Sequence, residues 1–190
     1  VPAYVQMSAG ASYQVSGPIY LNNLESITFE FWYRSSTLPS TTAPKVGVER
    51  IMGRWAGPDV FKENNGGNPH LRFQIDQSTA ILRSTSSVPE LTDGEWHHYI
   101  CSFEGGASPS VNLFVDGDNV ATSFVTGSSL PADTGTGSNF QVGSGTDNNF
   151  GSDSVQAFDF YRAFIYQLPV KTVTLARQIY YDRSGRSSFL

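Results

Sequence analysis

The sequence predicts an all-β fold, an antiparallel two-sheet β-sandwich or jelly roll with one short C-terminal helical turn. Three observations carry that prediction. Aromatic residues make up 13% of the 190 residues and charged residues only 15%. Eighteen glycines and ten prolines punctuate the chain. Between these breaks, short apolar or alternating runs recur along the whole length. Aromatic and β-branched side chains suit a pleated surface, and Gly, Pro and Asn suit turns. So few charges leave little for long solvated helices.

The runs follow one another in order. AYVQM (3–7) and SYQVSG (12–17) read as strands before the break at Pro18. SITFEFWYRSS (26–36) is the strongest, with Ile27, Phe29, Phe31 and Tyr33 at the period of two that places alternate side chains on one face. LPSTTAPKVG (38–47) is a loop, ERIMGRWAG (49–57) a strand interrupted at Gly53, and PDVFKENNGGNP (58–69) contains an Asn- and Gly-rich connection. HLRFQID and AILRSTS read as a hairpin, WHHYICSFEG and VNLFVDGDNVATSF as two long strands. Tyr99, Cys101 and Phe103 share one face, and Val111, Leu113 and Val115 repeat the alternation. The DGD at 116–118 is a hairpin signal, because Asp-Gly readily supplies positive φ. After a Gly/Ser/Thr/Asn-rich stretch (127–154), QAFDFYRAFIYQLP gives one more long strand. Only VKTVTLARQIYYD (170–182) has helical spacing, through Val173, Ala176, Ile179 and Tyr180. No internal repeat or linker divides the chain. The reading is one sandwich over residues 1–182 and a C-terminal tail over 183–190.

The net charge is −5 and no basic run is present, which argues against a nucleic-acid partner. The longest apolar runs fall far short of the roughly 20 residues that span a bilayer. The start at Val1 without a leader is expected of a processed product or an excised piece. Cys101 is the single cysteine, so an internal disulfide and a cysteine-based zinc site are excluded. Its place in an apolar strand predicts a buried, inert thiol.

The run DGEWHHYICSFEGG…VNLFVDGDNVATS resembles the laminin-G-like jelly rolls of the concanavalin A-like lectin/glucanase superfamily. That pattern is an Asp-Gly, a Trp-His-His leading into a strand, then an aliphatic-aromatic-Val-Asp-Gly hairpin. The other segments fall in the family's order over roughly residues 3–182. The resemblance implies a laminin-G/concanavalin A-like sandwich with loops at its rim. The superfamily includes lectins, adhesion modules, glycan-degrading enzymes and structural appendages, and fold alone does not choose among them.

His97 and His98 are adjacent on a strand and point to opposite faces, so they form no ready chelate for one ion. Calcium is the better metal expectation, because loop carboxylates and carbonyls make such sites and the resemblance implies rim calcium. SGTDNNFGSD (144–153) offers Asp147 and Asp153 as metal ligands, with Asn148 and Asn149 beside them, and GPDVFKENNGGN offers Asp59, Glu63, Asn64 and Asn65. Asp and Asn are also the ordinary residues of tight turns. For stacking on a sugar ring, Trp55 near a strand end and Phe150 within DNNFGSD are the expected binding aromatics, with Tyr166 next; Trp32 and Trp96 read as core.

No Glu-x-Asp-x-Glu motif of the glucanase relatives occurs. Arg72, Gln74 and Asp76 share a strand face faintly similar to that of alginate lyases, as does FYRAFIYQ with Arg162 and Tyr166, but Asp76 stands where such a lyase has histidine. No catalytic residue is therefore assigned.

The leading expectation is a non-catalytic extracellular recognition or adhesion module. It binds a glycan or cell-surface partner through rim loops at Trp55, Phe150, Asn148 and Asn149, with calcium at Asp147 and Asp153. The alternative is a structural decoration or appendage subunit of a virion or extracellular assembly, a homo-oligomer or larger, with the tail ending in Phe189 and Leu190 supplying contacts. A polysaccharide-cleaving enzyme stands third.

Overall fold

The computed structural model describes residues 5–7, 12–14, 23–41, 47–54, 57–76, 80–134, 140–143 and 158–184. Among these residues thirteen strands precede one helix: β1 (Val5–Met7), β2 (Ser12–Gln14), β3 (Ser26–Arg34), β4 (Val48–Arg54), β5 (Asp59–Asn65), β6 (Asn68–Asp76), β7 (Ala80–Ser84), β8 (His97–Glu104), β9 (Ser110–Val115), β10 (Asp118–Val120), β11 (Thr122–Thr126), β12 (Phe140–Gly143), β13 (Phe158–Tyr166) and α1 (Val173–Ser184). They build two antiparallel sheets. One runs β1-β13-β3-β8-β9-β10, the other β11-β7-β6-β5-β4-β12-β2. The fold is the β-sandwich that the strand-and-turn pattern predicts.

The core lies between the sheets, and the period-two pattern sets its membership. Ile27, Phe29, Phe31 and Tyr33 of β3 meet Tyr99, Cys101 and Phe103 of β8 from within the same sheet, and all are fully buried. Leu71, Phe73 and Ile75 of β6, with Val60 and Met52, face them from the other sheet. Aromatic rings fix the fit: Phe29 meets Phe73 edge-on at 6.1 Å, and Phe31 stacks on Tyr99 at 5.4 Å. Cys101 is inside this layer, where burial pushes its thiol pKa up and keeps it unreactive.

Four elements differ from the sequence reading. Within 58–69 the connection is the Gly66-Gly67 turn into β6, and the residues before it form strand β5, which the sequence reading does not name. Its alternation is hidden because Lys62 points inward, where its Nζ sits 3.1 Å from the equally buried Glu49 and donates to Ser35 Oγ and Thr37 O. β4 continues through Gly53 rather than breaking there. Gly53 has φ 144°, and a Cβ would lie 2.4 Å from the Asp59 Cα, so only glycine lets β5 approach. VNLFVDGDNVATSF is three strands, since β10 ends at the edge of one sheet and the chain crosses at Ala121 to begin β11 at the edge of the other. Trp32 is not in the core: it lies on the outer face of its sheet, half-buried against His98 and Tyr180.

The closing helix is also longer than a single turn. Twelve residues of α1 cover the outer face of the six-stranded sheet, with Ala176 buried against Ile100, Phe114 and Val170. Most of its face is polar, so its docking rests on this narrow apolar seam.

Candidate functional site

Three polar constellations on this scaffold are candidates for function. The first is the Trp-His-His segment. Asp93 and Asp116 open two Asp-Gly turns, and His97 joins them, donating from Nδ1 to Asp116 Oδ2 at 2.6 Å and from Nε2 to Asp93 Oδ2 at 2.9 Å. Asp116 Oδ1 accepts from the His98 amide, and the Asp116 amide donates back to the His98 carbonyl. Asp116 and Gly117 both have positive φ, as a type I′ hairpin requires. The Asp116 hydrogen bond holds the His97 pKa up at about 9, against partial desolvation and with help from Asp93. His98 points to the other face, where its Nε2 donates to Glu30 Oε1 and Tyr166 OH donates to Glu30 Oε2. The histidines therefore clamp two turns and anchor the sheet under α1. Among the described residues no group of three or more His, Cys, Asp or Glu is placed to hold a metal ion.

The second is a cleft of about 380 Å³ at the seam where the chain changes sheets. One wall is the connection leaving β7, Thr85 to Glu90, pinned by the Thr85 amide to the Ala121 carbonyl at 2.8 Å and by the Val88 amide to Pro69 O. The other is the β9–β10 hairpin with Asp118 and Asn119. Val88, Pro89, Val115, Val120 and Ala121 supply apolar lining, while Thr85, Ser86, Ser87, Glu90, Asp118 and Asn119 offer hydroxyl, carboxylate and amide groups. Arg177 of α1 donates to Asp118. Apolar surface among short hydrogen-bonding side chains matches a sugar ring, whose faces are C–H and whose edge is hydroxyl.

The third is the outer face of the seven-stranded sheet. Alternation with the core residues puts Arg50, Phe61, Arg72, Arg83 and Ser123 in one row across β4, β5, β6, β7 and β11. Gln141, Gly53, Asp59, Gln74 and Ile81 form the next row. Arg50 and Asp59 are buried and paired through Nε at 2.8 Å and Nη2 at 2.7 Å, and Arg50 also donates to Gln141 Oε1. Arg83 reaches Glu63 at 3.4 Å. Arg50 and Arg72 stack on Phe61, their guanidinium carbons 5.6 and 5.4 Å from the ring centre.

The sequence-predicted residues are distributed unevenly over these features. Trp55, Asp147, Asn148, Asn149, Phe150 and Asp153 lie outside the described residues, as does the tail beyond Ser184. Arg72 and Gln74 share a face as expected, with the Asp76 side chain outside the description. Tyr166 lies on the opposite outer face of the sandwich, against Glu30, so Arg72 and Tyr166 are not brought to one site. Arg162 sits exposed at a bulge of β13 with φ 50°. Asp59 is part of the buried Arg50 pair and Glu63 faces Arg83. Trp96 is half-buried beneath the Arg34 guanidinium, 5.0 Å from its ring centre. The seam cleft escaped sequence reading because its walls are 30 residues apart; its one local signal is the polar TSS before Val88-Pro89.

The family model described as concanavalin A-like lectin/glucanases superfamily, Laminin_G_3, matches residues 8–170. Among solved structures, the chain is similar to the binding domain of Paraclostridial Mosquitocidal Protein 1, at 13% identity and TM-score 0.63, covering 95% of this chain and 43% of that one. It is similar to a botulinum neurotoxin type C structure, a toxin that depends on interaction with two ganglioside molecules to enter cells, at 12% identity and TM-score 0.56, covering 94% and 46%. It is also similar to a Trypanosoma rangeli sialidase mutant with trans-sialidase activity, at 13% identity and TM-score 0.54, covering 84% and 23%. The chain spans less than half the length of each. No curated protein matches it significantly.

Proposed function

The chain belongs to the concanavalin A-like lectin/glucanase superfamily, and on that premise we propose that it is a non-catalytic carbohydrate-binding module acting outside the cell. The observation that carries this reading is the seam cleft. Its volume of about 380 Å³ falls within the roughly 300–1,000 Å³ usual for small-molecule sites. Its walls belong to a 3₁₀ turn at Pro89–Leu91 and a hairpin tied down by the His97 clamp, so the site is pre-formed. Binding domains among the similar structures, one from a toxin that interacts with gangliosides, support the same class of ligand. Among the described residues no helix is long and apolar enough to cross a membrane, which suits a module that meets its ligand from solution. Rim calcium held by Asp147 and Asp153, and ligand contacts by Trp55, Phe150, Asn148 and Asn149, are the further part of this reading.

A glycan array with the folded chain, run with calcium and again with chelator, tests it. Binding to a defined sugar set that Ser87→Trp reduces at least tenfold, with thermal stability unchanged, is the expected result; Trp fills the cleft from a surface position. Chelator-sensitive binding that Asp147→Asn weakens supports the calcium part, and chelator-insensitive binding removes it. A folded chain silent on every glycan overturns the module and leaves the decoration or appendage subunit, which sedimentation would show as an assembly.

A further inference from the structure

We propose that the outer face of the seven-stranded sheet carries a second, independent subsite at Arg72 that takes an oxyanion borne by a saccharide, a carboxylate or a sulfate ester. The argument is one of unbalanced charge. Three arginines stand in one transverse row, and two are neutralised within the sheet: Arg50 by Asp59 and Arg83 by Glu63. Arg72 makes no ion pair or hydrogen bond among the described residues, and its Nε is buried without an acceptor. Its register partner on β7 is Arg83, a like charge directly opposite and a destabilising arrangement. Desolvation, and to a lesser degree Arg83, hold the Arg72 pKa below the ordinary guanidinium value, while Glu63 and Asp59 pull the other way. A partly exposed guanidinium with a buried, unsatisfied Nε and no ion pair of its own is what an anion site is before its ligand arrives.

The geometry also selects the ligand. Phe61 lies against the guanidinium, whose carbon is 5.4 Å from the ring centre, and a planar guanidinium can pair with an oxyanion through two parallel N–H groups. Arg83, whose side chain is 26% exposed, stands beside it to share the charge. Gln74 in the next row offers an amide, though it is nearly buried. This differs from the seam cleft, whose lining contains no cation and two carboxylates, Glu90 and Asp118.

The test is calorimetric titration of the whole chain with an oligouronate, a sulfated oligosaccharide, a neutral oligosaccharide of equal length, and inorganic sulfate. At least one acidic oligosaccharide should bind tenfold or more tightly than the neutral one. Arg72→Gln should lose that preference, Arg72→Lys should keep only part of it, and Glu63→Gln should strengthen binding by removing a competing carboxylate. Thermal unfolding of Arg72→Gln should be close to unchanged, since the substitution relieves the contact with Arg83 but gives up the attraction of Glu63 and Asp59. Equal binding of acidic and neutral sugars, an unaffected Arg72→Gln, or a fall of its midpoint by several degrees overturns the proposal. Inorganic sulfate binding as tightly as the acidic sugars means an adventitious ion only and also overturns it. Ser87→Trp leaves this site intact, so failure here and failure of the cleft are read separately.

Discussion

At the scale of single residues, Lys62 and Glu49 show charge placed inside this protein where geometry answers it. Lys62 and Glu49 are both fully buried on one sheet, and Lys62 lies over the Tyr33 ring of the other at 5.4 Å. Desolvation lowers the Lys62 pKa and Glu49 offsets part of that, the signature of a pair that holds together because neither member can be left alone. His97 shows the opposite sign. Its folded pKa of about 9 lies above the ordinary value of 6.5, so the clamp contributes fully below pH 6.5 and is lost as pH rises through about 9. Both partners, Asp93 and Asp116, are partly exposed, so solvent screening brings the contribution down to on the order of 1–2 kcal/mol. Denaturant titrations from pH 6 to pH 10 should show this loss in the wild type and a flatter profile in His97→Gln. Parallel profiles would mean that the histidine is not charged in the fold.

At the scale of elements, α1 is the part whose existence depends most on its neighbours. A helix of 12 residues is marginal alone, and this one holds by Ala176, with Val173 and Ile179 half-buried beside it. Ala176→Asp should therefore melt α1 while the sandwich persists. Hydrogen exchange would show amides of 173–184 losing protection and those of β3 and β8 keeping it. Loss of protection in both would make the helix part of the cooperative core.

How far the elements were legible follows from the same physics. β3 and β8 could be read because one face is purely apolar, so Ile27 to Tyr33 and Tyr99 to Phe103 announce their register. β5 could not, because Lys62 points inward and Phe61 outward beneath arginines, the reverse of what hydropathy suggests. Trp32 was misread for a related reason: it alternates correctly away from Phe31 and Tyr33, but a helix from the far end of the sequence covers it. The Asp-Gly turns were legible from two residues each. Their joining through His97 needed the third dimension, and the seam cleft needed two segments that the sequence keeps apart.

At the scale of the molecule, the ladders that define the sandwich close very long loops. β13 pairs with β1 and β3, joining residues near both ends of the described chain, and β12 does the same for β2. Such non-local pairing puts folding in the millisecond-to-second range. Stopped-flow refolding followed by tryptophan fluorescence should fall there, and a microsecond phase carrying the full amplitude would contradict the topology. The sheet edges set a different hazard. β11 ends the seven-stranded sheet with Thr-Ser-Phe-Val-Thr, uncharged, its Phe124 and Val125 exposed at 39% and 40%. No lysine or proline guards that border, yet its ladder slips register between Phe124 and Thr126. The bulge breaks the straight row of donors and acceptors that another molecule would need as a template. Protection of the β11 edge against strand addition therefore rests on one surplus residue in the strand rather than on charge.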